Sequence, residues 1–365
     1  MRTPDDDRPT PTRARRAVAL AIGFYLCGQI GAGFALDHAP LRVRFPQAAR
    51  VMREAAEQPP DVLILGSSRF KASVVTGVMD GELCKGDGER PPVLLNAAVE
   101  AGDGYAMDLV LRGLIATGAR PRLALIEISP ETLARRNGWM NAHIARQLTF
   151  SEEAAILPQI ALSKRMDMLV SARLNSVYFY RRELLIWITG RKRPFLRVPD
   201  PAEQARESSE AESNVAPPAN RSEADPEEAA RQFRQRSGRG ARHIRKWLRN
   251  YEISGLAAES LDRLLQRCRA HGIEVILIGP PVAGVHRAVY TDDIESAFQA
   301  YMKGLSERHH VRYLDYRDRL TDDRFIDNHH TNPKGALEFS RLLARDVVRP
   351  SWPACDKSSG RRSKE

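Results

Sequence analysis

Five short apolar runs recur along the chain after residue 60. Each is almost continuous in hydrophobic residues, which is typical of strands that are buried on both faces of a parallel sheet. Segments with apolar residues three or four positions apart, as in helices, separate the runs. This alternation predicts an α/β domain, a three-layer αβα sandwich around a five-stranded, mainly parallel sheet. The runs are DVLIL from Asp61, PVLLN from Pro92, RLALIEI from Arg122, IEVILIG from Ile273 and VRYLDY from Val311.

Three of the predicted helices carry signals at their ends. Gly272 follows a leucine-rich stripe and is predicted to end that helix in a left-handed conformation. Asp292 and Glu295 have the spacing of a capping box at the start of the next one. Asn332 before Pro333 predicts an N-cap followed by proline at the first helical position.

The stretch between the third and fourth runs is much longer than a crossover requires. Its first part, residues 130–195, is apolar and predicted to form a helical insertion. Residues 197–240 are rich in Glu, Ala, Ser, Pro and Arg and poor in aromatic residues, which predicts a disordered linker. The α/β domain is therefore expected over residues 55–350, with a disordered tail over 351–365.

Residues 17–36 contain twenty residues without a charge, which is the length that a helix needs to cross a bilayer. The preceding tail, residues 1–16, holds five arginines against three aspartates, and no basic residue follows the apolar stretch directly. The positive-inside rule then keeps the tail in the cytoplasm and sends the rest of the chain across the membrane. A cleaved signal peptide is an alternative, because GFA at 33–35 is a small-x-small site. A buried core helix is a second alternative.

Composition narrows the choice of partners. The chain carries 56 Lys and Arg against 46 Asp and Glu, a formal net charge of +10, which would permit binding to nucleic acid. However, the basic residues are dispersed and accompany no nucleic-acid-binding motif, so we expect no nucleic-acid partner. The four cysteines show neither a Cys-x-x-Cys pair nor metal-ligand spacing, and they predict neither a metal site nor a defined disulfide framework.

Two segments contain candidate catalytic residues: GSS, directly after the first run, and DNHH, near the end of the chain. Ser67 and Ser68 fit an ordinary turn, or one of them is a nucleophile at the junction of strand and helix. Asp327 and His330 are three residues apart, so the carboxylate could orient the imidazole as a base. An Asx turn and a metal site formed with His329 are the alternatives.

Topology brings these segments together, because sites in open parallel sheets form beyond the carboxyl ends of the strands. Ser68 follows the first run, Gly102 the second, and Asp327 and His330 the fifth. Phe70 excludes the Gly-x-Ser-x-Gly elbow of the α/β-hydrolases. The sequence thus predicts a serine site that is not of that type.

The blocks GSS, NAAVEAGDG and DNHHTNPKG resemble those of the SGNH, or GDSL-type, hydrolase superfamily. That resemblance implies a flavodoxin-like αβα fold without cofactor or metal. It assigns Ser68 as the nucleophile, Asp327 and His330 as its partners, and the N–H groups of Ser68 and Gly102 as the oxyanion donors.

Two departures from the family pattern stand out. Ser67 replaces the aspartate of the Gly-Asp-Ser block. The block that would supply an oxyanion asparagine is missing, and Ser129 lies near its expected position. Asn137 is an alternative donor from the following loop.

In layout the chain is similar to membrane-anchored SGNH proteins of bacterial cell-surface acylation, of the alginate O-acetylation and teichoic-acid D-alanylation types. This implies a single-pass protein of the bacterial cytoplasmic membrane with a periplasmic O-acyltransferase or esterase domain. The expected substrate is a cell-surface polymer or a small acyl ester, and the expected partner is a multispanning membrane acyltransferase. A catalytically degraded binding or assembly protein is the alternative. Residues 178–197 are expected to lie against the edge of the sheet as a lid and to contact the membrane as an interfacial helix. Packing as core is the alternative.

Overall fold

The structure is a computed structural model that describes residues 11–39, 45–83, 91–135 and 226–352, with a few positions between 170 and 188. The chain forms two compact units, which are described separately. One comprises Met1–Pro46 and Ile144–Arg193, and the other Gln47–His143 and Pro194–Glu365. Most of the predicted insertion at 130–195, and residues 197–225 of the predicted linker, lie outside the described residues.

The larger unit contains a five-stranded sheet in which every neighbouring pair is parallel. The strands are β1 (Val62–Leu65), β2 (Leu94–Asn96), β3 (Leu123–Glu127), β4 (Glu274–Gly279) and β5 (Arg312–Asp315). Their order is β2-β1-β3-β4-β5, which confirms the predicted α/β fold with five parallel strands. The chain reverses its direction across the sheet between β1 and β3, and ligands bind at such switch points in doubly wound folds.

Helices cover the sheet of the larger unit and also occur in the smaller unit. They are α1 (Pro11–Asp37), α2 (Pro46–Glu57), α3 (Ser68–Ser73), α4 (Thr76–Leu83), α5 (Gly104–Ala116), α6 (Pro130–Leu133), α7 (Ser176–Phe179), α8 (Pro226–Trp247), α9 (Leu256–Ala270), α10 (Gly284–Arg287), α11 (Asp292–His309), α12 (Pro333–Leu343) and α13 (Arg349–Ser351). A π-helical turn, Ala344–Val348, joins the last two. Helices α1 and α7 belong to the smaller unit. The long connection between β3 and β4 is the predicted site of the insertion.

Alternate residues of the strands serve opposite faces of the sheet. Ile64, Leu125 and Ile276 pack on one face against Phe70 and Phe339, which belong to α3 and α12. On the other face, α9 contacts β4 and α11 contacts β5. Burying such an aliphatic side chain contributes roughly 1.5–3 kcal/mol, so the apolar runs account for much of the stability of this unit.

The predicted helix ends are mostly confirmed. Gly272 follows α9 with a φ of 67°, and the side chain of Asn332 accepts a hydrogen bond from the N–H of Gly335 at 3.0 Å. The prediction for α11 is wrong by one residue, because Thr291 is the N-cap and Asp292 is already helical.

Helix α1 belongs to the smaller unit. Its stretch Ala14–Leu36 is long and apolar enough to span a membrane. The side chains are largely exposed, and Phe24 keeps 83% of its surface accessible. An exposed apolar surface of this length is compatible with a membrane anchor.

The predicted interfacial segment, residues 178–197, lies mostly outside the described residues. Tyr180 is buried beside Leu36 within the smaller unit. Leu185 and Ile188 are exposed, at 43% and 70%. The choice between core packing and membrane contact therefore stays a prediction.

Helix α8 corrects the predicted linker, because residues 226–240 of that stretch are helical. The helix continues to Trp247 and buries Ala241 and Ile244 against Val289 and Ile294. The apolar side chains that anchor α8 are few and lie near its C-terminal end. The composition of residues 226–240 is therefore that of a disordered segment, although these residues are helical. Packing against the α/β domain stabilises the helix instead.

Candidate active site

Ser68 lies at the carboxyl end of β1, as the first residue of α3. The preceding Ser67 caps the helix, with its Oγ accepting from the N–H of Arg69 at 3.1 Å. Gly66 makes the tight junction possible, because a Cβ there would lie 2.5 Å from a Glu127 oxygen. Strand, glycine and cap thus present Ser68 beyond the edge of the sheet.

Ser68, His330 and Asp327 form a continuous hydrogen-bonded chain. The Oγ of Ser68 lies 2.9 Å from Nε2 of His330. Nδ1 of His330 lies 2.8 Å from Oδ2 of Asp327. When Nδ1–H donates to the carboxylate, Nε2 is left as an acceptor for the serine hydroxyl. The structure therefore brings together the three residues that the sequence predicts as catalytic.

The carboxylate of Asp327 also closes the turn that carries His330. Its Oδ1 accepts from the N–H groups of His329 and His330, at 2.9 and 2.8 Å. The Asx turn and the catalytic geometry therefore occur together. Burial opposes ionisation of Asp327, but the hydrogen bond and charge of His330 outweigh it, so the pKa of the carboxyl lies below its ordinary value.

His330, and not its neighbour, is the histidine that reaches Ser68. The ring of His329 lies 4.2 Å from the ring of His330 between centroids. Burial, reinforced by the charge of His330, holds the pKa of His329 well below its usual range. His329 is thus a neutral packing neighbour of the base.

A buried ion pair holds the two residues that flank Ser68. Glu127, at the end of β3, accepts from the N–H of Ser67 at 2.7 Å and from its hydroxyl at 2.7 Å. The same carboxylate accepts from Nε of Arg69 at 2.8 Å. Both charged side chains are almost completely buried, so each depends on the other for compensation. This pair therefore fixes the backbone on both sides of Ser68.

The network continues from Arg69 to the loop that bears Asp327. Nη1 of Arg69 contacts Glu131 at 2.5 Å, and the hydroxyl of Tyr290 donates to Glu131 at 2.8 Å. The Tyr290 hydroxyl lies 3.0 Å from Nε2 of His286, whose Nδ1 accepts from Asn328 at 2.8 Å. Burial opposes the charge of Glu131, but Arg69 more than compensates, so the pKa of this carboxyl is lowered. Groups around the nucleophile and the base are thus held by one buried network.

The sequence analysis did not predict this network, although the sequence contains one indication of it. Glu127 is a carboxylate within the otherwise apolar run of β3 and is the last residue of that strand, and such a residue requires a buried partner. The guanidinium of Arg69 cannot be identified as that partner from spacing alone.

A cavity of about 460 Å³ opens beside the three catalytic candidates. Helix α8 contributes one wall of it. The lining residues from this helix are Arg236, Arg239, Gly240, His243, Ile244 and Trp247. Arg236 and Arg239 belong to the stretch predicted as a disordered linker, so sequence analysis did not associate them with the site.

The structure corrects the predicted role of Gly102. Its N–H donates to the carbonyl of Val99 at 3.0 Å and closes a turn in which Ala101 has a φ of 51°. The N–H that was expected to bind an oxyanion is therefore already used. A Cβ at Gly102 would lie 2.3 Å from the carbonyl oxygen of Gly66, so this glycine allows the two site loops to approach each other.

The other candidate oxyanion donors are Ser129, Asn137 and the N–H of Ser68. The hydroxyl of Ser129 is buried and accepts from Arg69 at 2.7 Å, so it belongs to the network. Asn137 lies outside the described residues. In the described part of the chain, no group accepts from the N–H of Ser68, which remains available to a ligand.

Asp327, His329 and His330 also offer potential metal-ligand atoms within 4.8 Å of one another. In the present arrangement, however, both ring nitrogens of His330 face hydrogen-bonding partners. A metal would have to displace the contact with Ser68 or that with Asp327.

Comparison with known proteins adds a partial match. A model of an uncharacterised protein family matches residues 242–350, which is less than half of the chain. The match includes Asp327 and His330 but not Ser68. No curated protein matches the sequence.

Proposed function

We propose that this protein is a serine-dependent O-acyltransferase or esterase of the SGNH type. The observation that carries the proposal is the chain of contacts from Ser68 Oγ to His330 Nε2, at 2.9 Å, and from His330 Nδ1 to Asp327 Oδ2, at 2.8 Å. Nucleophile, base and orienting carboxylate at hydrogen-bonding distance are the elements that acyl transfer requires.

The reaction follows from this arrangement. His330 Nε2 takes the proton of Ser68 as Oγ attacks the acyl carbonyl, and Asp327 stabilises the imidazolium. Collapse of the tetrahedral intermediate breaks the ester bond, and His330 gives the proton to the departing alcohol oxygen. Water or an acceptor hydroxyl then attacks the acyl-enzyme, again with His330 as the base, and frees Ser68.

Of the two predicted oxyanion donors, the N–H of Ser68 is kept and that of Gly102 is replaced. We assign the second donor to the N–H of Ala101. Ala101 lines the cavity, and its N–H makes no hydrogen bond with the described residues. Loss of a single such donor typically lowers kcat about 10²- to 10³-fold, so a missing second donor would slow the reaction strongly.

The membrane setting belongs to the same proposal. The apolar helix α1 and the basic residues before it support a single-pass anchor with the α/β domain in the periplasm. There the enzyme would act on a cell-surface glycan or a similar hydroxyl-bearing polymer, beside a multispanning acyltransferase. A reporter enzyme that works only outside the cytoplasm, fused after residue 365, should be active. Activity of a cytoplasmic reporter at the same position would contradict the topology and the surface substrate.

A second candidate is a non-catalytic binding or assembly protein with the same fold. The observation that favours it is the engagement of Gly102 and Ser129 in internal hydrogen bonds, which leaves the expected oxyanion site incomplete.

A serine-directed fluorophosphonate probe separates the two candidates. We expect covalent labelling of the full-length protein in detergent, and loss of that labelling in Ser68→Ala and His330→Ala. His329→Ala is the matched control and should retain labelling. A folded protein that resists the probe would favour the binding function instead.

A further inference from the structure

The wall that α8 forms over the cavity is basic. Arg236, Arg239, His243 and Trp247 follow one another at intervals of three or four residues, so they share one face of the helix. All four line the cavity together with Ser68 and His330. This face therefore meets whatever occupies the site.

The positive charge on this wall has no internal compensation among the described residues. Arg236 donates to the neutral Gln232 side chain at 3.4 Å, and no described carboxylate pairs with Arg236 or Arg239. Among the described residues that line the cavity, Asp327 is the one carboxylate, and it is already paired with His330. Two guanidinium groups thus line the cavity without a carboxylate partner among the described residues.

The wall is also held in place. A Cβ at Gly240 would lie 1.9 Å from Oδ1 of Asn328, so the helix sits directly on the loop that carries Asp327. Ile244 and Leu248 anchor the helix in a buried apolar cluster. Because the helix is fixed, the backbone that carries the two arginines does not have to be ordered when a ligand binds.

We propose that the cavity recognises an anionic substrate, whose carboxylate or phosphate group pairs with Arg236 and Arg239 while its ester or hydroxyl faces Ser68. Guanidinium groups bind both kinds of anion through charge-assisted hydrogen bonds. Trp247, in edge contact with His243 at 4.7 Å between ring centroids, adds an apolar surface beside the charges. The position of the substrate's ester or hydroxyl at Ser68 rests on the proposed acyl-transfer function. The preference of the cavity for an anion rests on the arginines of α8 alone.

The preference for an anionic substrate can be tested by measuring ester hydrolysis by the full-length protein in detergent. The probes are 4-nitrophenyl butyrate, which is neutral, and the 4-nitrophenyl monoester of succinic acid, which carries a carboxylate. We expect the ratio of kcat/KM, anionic over neutral, to fall roughly tenfold in Arg236→Gln/Arg239→Gln. Arg234→Gln/Arg242→Gln removes the same charge from exposed positions of α8 that do not line the cavity, and should keep the ratio. An equal ratio in the two double variants would overturn the inference.

Binding provides a readout that does not depend on catalysis. Calorimetric titration of the Ser68→Ala protein with oligogalacturonate and with oligo(glycerol phosphate) distinguishes a carboxylate from a phosphate ligand, and a neutral maltooligosaccharide is the control. We expect one anionic ligand to bind, and its Kd to rise roughly tenfold on removal of Arg236 and Arg239. Charge-dependent binding without fluorophosphonate labelling would overturn the proposed function and keep this inference. Fluorophosphonate labelling without any preference for anionic ligands would overturn this inference and keep the proposed function.

Discussion

Gly240→Ala tests whether α8 is docked on the catalytic loop as the structure has it. Alanine in a helix interior is ordinarily more stable than glycine by about 1 kcal/mol. At residue 240, however, the added Cβ would lie 1.9 Å from Oδ1 of Asn328 and 2.6 Å from its Cγ. Asn328 is buried and donates to His286 at 2.8 Å, so moving it away leaves buried polar groups unsatisfied.

The cost of that displacement is about 1–3 kcal/mol for the lost buried hydrogen bond, which cancels or exceeds the gain in helix propensity. We therefore expect Gly240→Ala to be destabilised by up to about 2 kcal/mol. Because Asn328 follows Asp327 directly, the rate of fluorophosphonate labelling at Ser68 should fall as well.

Gly238→Ala is the matched control, since its new Cβ would meet its nearest neighbour, Nη1 of Arg242, at an ordinary 3.7 Å. This variant should be stabilised by about 1 kcal/mol and should react normally with the probe. Urea unfolding of both variants measures the difference. Equal stabilisation of the two would refute the docking of α8 on Asn328.

Three further predictions concern burial and charge. Burial raises the pKa of Asp103 to about 6. Because the unfolded value is lower, this group favours the folded state below about pH 4 and loses that contribution as the pH rises through 6. Asp103→Asn keeps the cap on the N–H of Ala106 and should raise the free energy of unfolding at pH 8 by up to about 3 kcal/mol, but hardly at pH 4. Equal effects at the two pH values would contradict that reasoning. Glu127→Gln leaves part of the charge of the buried Arg69 uncompensated and should destabilise the protein by about 3 kcal/mol in urea unfolding, whereas a change below about 1 kcal/mol would argue against the buried pair. Chelation with EDTA should leave labelling of the native protein unchanged, because both ring nitrogens of His330 already have hydrogen-bonding partners, and a requirement for added zinc would reverse the assignment.

The sequence by itself determined the features that depend on local pattern. Continuous apolar runs specify strands that are covered on both faces, and the parallel sheet then brings the ends of β1 and β5 to one edge. The spacing of Asp327 and His330 defines one turn, so this pair could be predicted without knowledge of any distant contact. Ser68 could be predicted as its partner because it directly follows β1 at that same edge.

Only the tertiary structure decided the features that depend on contacts between distant segments. Gly102 lies against the carbonyl oxygen of Gly66 from the loop after β1, and this close approach between two loops is not encoded in either segment alone. The pairing of Glu127 with Arg69 joins β3 to helix α3, and no sequence period encodes that contact. Helix α8 has the composition of a disordered segment and becomes an ordered wall because Ile244 and its neighbours are buried on the α/β domain. Local preferences can be read from neighbouring residues, whereas burial and partner choice are properties of the folded chain.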